Sequence, residues 1–105
     1  MRPFEEGQEQ RIRDAVRARI KQYSNETSDF GFRMTVSPFS DTEDHIVNIG
    51  TSILCTRWEI GYPGGSFVEA IVNNNLSEAF GRADSVNVNC IRFYVSLLYN
   101  QGYIA

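Results

Sequence analysis

The sequence of 105 residues has few of the residues that build metal centres, and it has no long apolar run. It contains two cysteines, Cys55 and Cys90, and a single histidine, His45. A structural zinc site needs about four such ligands, so we expect none. No stretch approaches the ~18 apolar residues of a membrane-spanning helix. The first residues lack the apolar core of a signal peptide. We therefore expect a soluble, cytoplasmic protein.

The two cysteines leave two alternatives open. A Cys55–Cys90 disulfide is possible in principle, but both residues lie in apolar runs. Cysteine in such runs behaves as a small buried hydrophobe, so the sequence favours two buried free thiols.

The overall composition is that of an ordinary globular protein. The chain is 42% hydrophobic, 12% aromatic and 22% charged, with a net charge of -3. Its length predicts a single domain over residues 1–105. A core of this size is limited, so self-association would add stability and we expect a homo-oligomer. The acidic balance argues against binding to a long nucleic acid.

The N-terminal half predicts one helix followed by a small antiparallel sheet. Apolar residues recur every three or four positions over residues 5–23, as on one face of a helix. Residues 30–37 alternate apolar and polar, which is typical of a half-buried strand. Residues 45–60 carry a second alternating run and predict its antiparallel partner, either as one long bent strand or as two short ones.

The C-terminal half predicts an αα-hairpin packed on that sheet. Ser66, with Glu69 three residues later, forms a capping box at the start of one helix, and Gly81 is expected to end it. A second helix is predicted from Asp84 or Ser85 to about residue 100. The predicted fold class is therefore α+β.

The turn before the first C-terminal helix is the first candidate site. Gly64 and Gly65 would let the backbone approach a ligand, and the free amides around Ser66 would bind phosphate. The structural alternative is a tight turn that requires glycine.

An asparagine run, residues 73–75, is the second candidate. Asparagine is a poor helix former, so its presence within a predicted helix suggests that one amide is used. Asn74 lies seven residues after Phe67, and its amide could read the edge of a base. The alternative is an exposed helix face.

Two further groups carry ligand chemistry. Trp58 could stack on a base, with Arg57 beside it to bind phosphate, although the pattern favours Trp58 as a core residue and Arg57 as an exposed one. Asp84 and Asn87 could bind ribose hydroxyls with Arg82 on a phosphate, but Asp84 is favoured as a helix cap.

No catalytic set is recognisable in the sequence. His45 has no nucleophile in a local motif and is interpreted as a surface strand residue. Asp41, Glu43 and Asp44 are interpreted as a solvated loop. We expect neither an enzyme nor a bound cofactor.

The C-terminal half resembles a group of small proteins encoded by phages and prophages. The shared residues are P-G-G-S-F-V-E-A at 63–70, N-N-L at 74–76, A-D at 83–84 with Asn87, and Y-N at 99–100. The group usually carries Asp where this chain has Asn75. The resemblance implies an accessory protein in the host cytoplasm. It fits an anti-defence role like that of the oligomeric sponges that sequester nucleotide signals of the Thoeris and CBASS systems.

These observations predict a non-enzymatic protein that sequesters a small anionic nucleotide signal, such as a cyclic nucleotide. The predicted ligand-binding residues are Arg57, Trp58, Gly64, Gly65, Ser66, Phe67, Asn74, Arg82, Asp84, Asn87 and Arg92. Two alternatives remain: a protein that blocks a host defence complex, as anti-CRISPR proteins do, and a structural or assembly protein of the phage.

Overall fold

The computed structural model describes residues 1–28, 41–84 and 86–105, and these residues form helices joined by short turns. In chain order the elements are α1 (Gln8–Ser28), α2 (Asp41–Trp58), α3 (Ser66–Val72), α4 (Leu76–Arg82), a 3₁₀ turn (Asn87–Cys90) and α5 (Ile91–Asn100). The described ranges contain no β-strand, only a lone parallel bridge between Arg2 and Ile60. The α+β prediction is therefore wrong.

The first predicted helix is confirmed as α1. Its residues Ile12, Val16 and Ile20 are buried, as the spacing of three to four residues predicts. Gly7, immediately before it, has a φ of 74°, a left-handed conformation that glycine adopts without strain. The helix therefore begins at Gln8, later than the predicted residue 5.

The second predicted strand, residues 45–60, lies almost entirely in α2. Its buried side chains follow a helical spacing, since Ile46 and Val47 are buried and so are Ile53 and Leu54 one heptad later. Gly50 lies between them. A Cβ at Gly50 would stand 2.8 Å from Cγ1 of Val16, so this glycine allows α1 to pack closely against α2.

Because residues 45–58 are helical, the predicted sheet has no second strand. The first predicted strand, residues 30–37, lies outside the described residues. The predicted loop at Asp41, Glu43 and Asp44 is also wrong, because these residues form the first turn of α2. Arg17 of α1 pairs with Glu43 at 3.3 Å and with Asp44 at 3.1 Å, which joins the two helices.

The asparagine run divides the first predicted C-terminal helix into two. Asn73 ends α3, and Asn74 has a φ of 59°, a conformation that asparagine tolerates better than most residues. Asn75 is the N-cap of α4, and its side chain accepts a hydrogen bond from the Glu78 amide at 3.2 Å. The three asparagines therefore form the turn between α3 and α4, where their backbone and capping preferences are used.

The C-terminal helices also begin and end at residues other than those predicted. Gly65, not Ser66, is the N-cap of α3, and it makes no side-chain cap, so the predicted capping box does not form. Gly81 lies inside α4, which ends at Arg82. A 3₁₀ turn then precedes α5, so the last helix begins later than predicted and the αα-hairpin is replaced by three helices.

Every α-helix contributes side chains to one buried apolar cluster. Aromatic rings of α1, α3 and α5 contact one another within it. Tyr94 contacts Phe93 and Phe67, with ring centroids 5.8 Å apart in both pairs. Phe93 in turn contacts Tyr23 of α1 at 5.5 Å. The edge-on contacts Phe67–Tyr94 and Tyr23–Phe93 join α3 and α1 to α5. None of the helices described is both long and apolar enough to cross a membrane.

Candidate functional site

The glycine turn is packed against the protein rather than open to a ligand. The Gly64 amide donates a hydrogen bond to Oγ1 of Thr56 at 3.0 Å, and a Cβ at Gly64 would lie 2.6 Å from Cβ of Val68. Gly65 and Ser66 are exposed at the start of α3, a helix of only seven residues. The turn alternative accounts for Gly64, because this backbone lies too close to α2 and α3 for a side chain.

The two aromatic residues predicted to stack on a base contact other rings. Phe67 is only 7% exposed and packs edge-on against Tyr94, so neither face of its ring is open. Trp58 is half-buried, and its ring lies 5.2 Å from that of Tyr103 in a T-shaped contact. Arg57 is exposed in the last turn of α2.

Asp84 and Asn87 hold the turn that leads into α5. Oδ1 of Asp84 accepts hydrogen bonds from the amides of Val86 at 3.0 Å and Asn87 at 2.7 Å, which is the capping alternative. Asn87 is buried, and its side-chain oxygen accepts a hydrogen bond from the Tyr94 hydroxyl at 2.8 Å. Both side chains are therefore engaged in the fold.

His45 lies on α2 and not on a strand. Its Nε2 atom is 3.1 Å from Oδ2 of Asp84, so the two side chains form an ion pair when the imidazole is protonated. Among the described residues no group of three or more histidine, cysteine, aspartate or glutamate side chains could hold a metal ion.

The two cysteines are buried free thiols, as the sequence favours. Burial raises the pKa of Cys55 and of Cys90 to about 11. Thiols with such a pKa are protonated at neutral pH and are poor nucleophiles. Neither cysteine is therefore activated for chemistry.

Ser66 and Arg82 both line a shallow depression of about 300 Å³ between α3 and α4. The same depression is lined by Glu69 and Glu78, and Nε of Arg82 already donates a hydrogen bond to Oε2 of Glu78 at 2.7 Å. Two carboxylates against one guanidinium leave this depression unfavourable for an anion.

Asn74 and Arg92 both line a second depression, between α4 and α5. We name it the α4–α5 groove; its volume is about 520 Å³. It is lined by Asn74, Leu76, Phe80, Val88, Asn89, Ile91, Arg92, Val95 and Tyr99. Only Arg92 among these carries a formal charge, and most of the others are apolar.

The groove exposes four large apolar side chains together. Leu76 is 51% exposed, Phe80 53%, Val88 39% and Tyr99 78%. Leu76 and Phe80 lie four residues apart on α4, while Val95 and Tyr99 lie four apart on α5, so each helix presents one apolar stripe to the groove.

Sequence reasoning missed this groove because it read one continuous helix through α3 and α4. In that helix Leu76 and Phe80 fall on the core-facing side with Ile71. The turn at Asn74 changes the direction of the chain, so that Ala79 is buried and its large neighbours face outward. The sequence signal for this change is the asparagine run itself, because asparagine tolerates the left-handed conformation that Asn74 adopts.

Comparison of the chain with models of protein families, with curated proteins and with solved structures finds no match. The resemblance to phage and prophage proteins therefore stays a prediction.

Proposed function

We propose that this protein acts by binding another protein, without catalysis, and that the α4–α5 groove is its docking surface. The observation that carries the proposal is the joint exposure of Leu76, Phe80, Val88 and Tyr99. Single exposed apolar residues are normal, but several large ones in one patch are typical of interaction sites.

The size and make-up of the groove suit a protein partner. From their exposed fractions, the four side chains present roughly 400 Å² of surface, comparable to the functional patch on many monomers. Two of them are aromatic, the residue class that most often anchors interfaces. The amides of Asn74 and Asn89 lie at the polar rim.

This function corresponds to the alternatives that the sequence left open beside nucleotide binding. A blocker of a host complex and an assembly protein both act through a protein surface. Neither requires the glycine turn, Phe67 or Asn87 to be free for a ligand, and these residues are used in the fold.

The direct test is copurification with matched variants. Tagged wild-type protein, Phe80→Asp and Tyr62→Asp would each be purified from the cells in which the protein acts, together with an untagged wild-type copy of this chain. Tyr62 is an exposed aromatic residue outside the groove and so serves as the control. We expect one protein in stoichiometric amount, either a host protein or a second copy of this chain, with the wild type and with Tyr62→Asp. Phe80→Asp should lose it.

The complex would then be rebuilt from purified components to confirm direct binding. Folding of each variant would be checked by circular dichroism. A partner that remains bound to folded Phe80→Asp would contradict the proposal, as would the lack of any stoichiometric partner.

Sequestration of a small anionic nucleotide is the second candidate. It is favoured by the presence of Arg92, Asn74 and two exposed rings, Phe80 and Tyr99, in one groove. An arginine has five N–H donors, so it can contact a phosphate in addition to its neighbours in the fold. The volume lies within the roughly 300–1,000 Å³ of small-molecule sites.

Thermal unfolding with a panel of linear and cyclic nucleotides tests this candidate. A ligand present at about 100 times its dissociation constant should stabilise the protein by about 2.7 kcal/mol. Arg92→Gln should reduce the effect. Unchanged unfolding across the panel would remove the candidate.

A further inference from the structure

We infer that the protein bound at the α4–α5 groove is a second copy of this chain, so that the protein forms a twofold-symmetric dimer. The inference rests on the proposed function, since it names the partner of the same docking surface.

The arrangement of the apolar residues fits a second pair of helices. Leu76 and Phe80 form one stripe on α4, and Val95 and Tyr99 form another on α5. Side chains four residues apart form the ridges by which helices pack into the grooves of their neighbours. A twofold rotation brings the same two stripes of another copy onto this face, and the four helices then bury all of them.

The polar residues of the groove are suited to pairing with themselves. Asn74 and Asn89 line it, and an amide side chain is both donor and acceptor, so it can pair with the same side chain of another copy. Arg92 is the only charged residue of the lining. A largely apolar face with one charge offers little to a highly charged partner.

The buried area supports a reversible dimer. At roughly 400 Å² from each copy, the four exposed side chains supply about 800 Å² in total. Half-buried Val95 and the polar rim add to this and bring the interface toward the roughly 1,200 Å² lower limit of specific complexes. We therefore expect dissociation on dilution.

Sedimentation equilibrium of the purified protein from roughly 1 μM to 1 mM tests the inference. The wild type should change from monomer to dimer within this range. Phe80→Asp and Tyr99→Asp, on different helices, should each weaken dimerisation by roughly 100-fold or more, because a symmetric interface contains every substitution twice. Tyr62→Asp should dimerise as the wild type does.

Circular dichroism would verify that each variant is folded, and agreement between two variants on separate helices guards against the failure of one. A wild type that stays monomeric at every concentration overturns the inference, as does a dimer that both folded variants leave unchanged. If the monomeric wild type still binds a different protein through Phe80, only the dimer is excluded and the proposed function stands. If it binds no protein at all, both fall.

Discussion

Gly64 and Gly65 are neighbours in the turn before α3, but a side chain would meet very different surroundings at the two positions. A Cβ at Gly64 would lie 2.6 Å from Cβ of Val68 and 2.9 Å from Oγ of Ser52, while a Cβ at Gly65 would have no atom within 4 Å. The first position therefore requires glycine for packing, and the second does not.

Alanine substitutions at the two glycines should separate these roles. Gly64→Ala should lower the free energy of unfolding by roughly 1–3 kcal/mol, because α3 must move away from the turn. Gly65→Ala should change it by less than about 0.5 kcal/mol, since the loss of an N-cap glycine is offset by lower entropy of the unfolded chain. Urea unfolding followed by circular dichroism measures both. Equal losses would contradict this account.

The buried thiols predict how stability depends on pH. Burial raises the pKa of Cys55 and Cys90 to about 11, above that of a thiol in the unfolded chain. The unfolded chain therefore releases these protons first as pH rises, and the native state loses stability between about pH 8.5 and 11. Below that range the contribution is constant.

The measurement is the urea midpoint across this pH range for the wild type and for the Cys55→Ala/Cys90→Ala variant. The wild-type midpoint should fall more steeply, by an amount equivalent to at most about 3 kcal/mol for each thiol. Tyr94, whose pKa is also raised by burial, acts in both proteins and cancels in the comparison. Parallel curves would show that the thiols contribute nothing.

At the scale of elements, α4 depends on its N-cap residue, Asn75. The side chain of Asn75 accepts the hydrogen bond from the Glu78 amide that a short helix otherwise leaves unpaired. Asn75→Ala should therefore cost about 1 kcal/mol of stability. Asn75→Asp should cost little, because a carboxylate accepts the same bond and is favourable at a helix N-terminus. Chemical unfolding of both variants measures the difference, and an equal loss would rule out capping.

The element that sequence patterns described least well is α2. Its β-branched residues Val47, Ile49 and Ile53 share one parity, which favours a strand. The burial of consecutive residues, Ile53 with Leu54, is what a helix produces, but it becomes visible only when α1 and α5 cover that face. Tertiary packing thus decides a segment whose local pattern is ambiguous. In α1 the charged face leaves no such ambiguity, and the prediction holds.

The candidate site was predicted only in part for a related reason. Asn74 and Arg92 were identified by their chemistry, and the structure places both in the α4–α5 groove. Leu76 and Phe80 face the core only in a helix that continues through the asparagine turn, as the sequence pattern predicts. Whether a large apolar residue is exposed depends on the direction of its helix. Here the left-handed conformation of one residue, Asn74, changes that direction between α3 and α4.

For the molecule as a whole, the first and last segments of the described structure meet at one end. The ring of Tyr103 contacts Trp58 at 5.2 Å, and the guanidinium of Arg2 lies 5.8 Å from the Tyr103 ring centroid. Arg2 also exchanges backbone hydrogen bonds with Glu59 and Gly61, at 3.0 and 2.7 Å. These contacts tie both segments to the end of α2, on residues far apart in the sequence.

Gln8 is the buried residue that joins the two segments directly. It is 1% exposed, and its Nε2 atom donates to the Tyr103 hydroxyl at 3.1 Å and to the Ile104 carbonyl at 2.9 Å. Its Oε1 atom accepts from the Glu5 amide at 2.9 Å. Three of the four hydrogen bonds that this side chain can make thus hold backbone and side-chain groups of both segments.

Replacement of this residue should loosen both segments without unfolding the helices. Gln8→Leu keeps a buried side chain of similar size but leaves the Ile104 carbonyl and the Glu5 amide without a partner, at a cost of roughly 1–3 kcal/mol. Amide exchange measured by mass spectrometry should become faster over residues 1–7 and 101–105, while α2 keeps its protection. Gln10→Leu, an exposed position two residues later, is the matched control and should leave exchange unchanged. If Gln8→Leu accelerated exchange throughout α2 to the same extent, the residue would support the whole core and not the junction of the two segments.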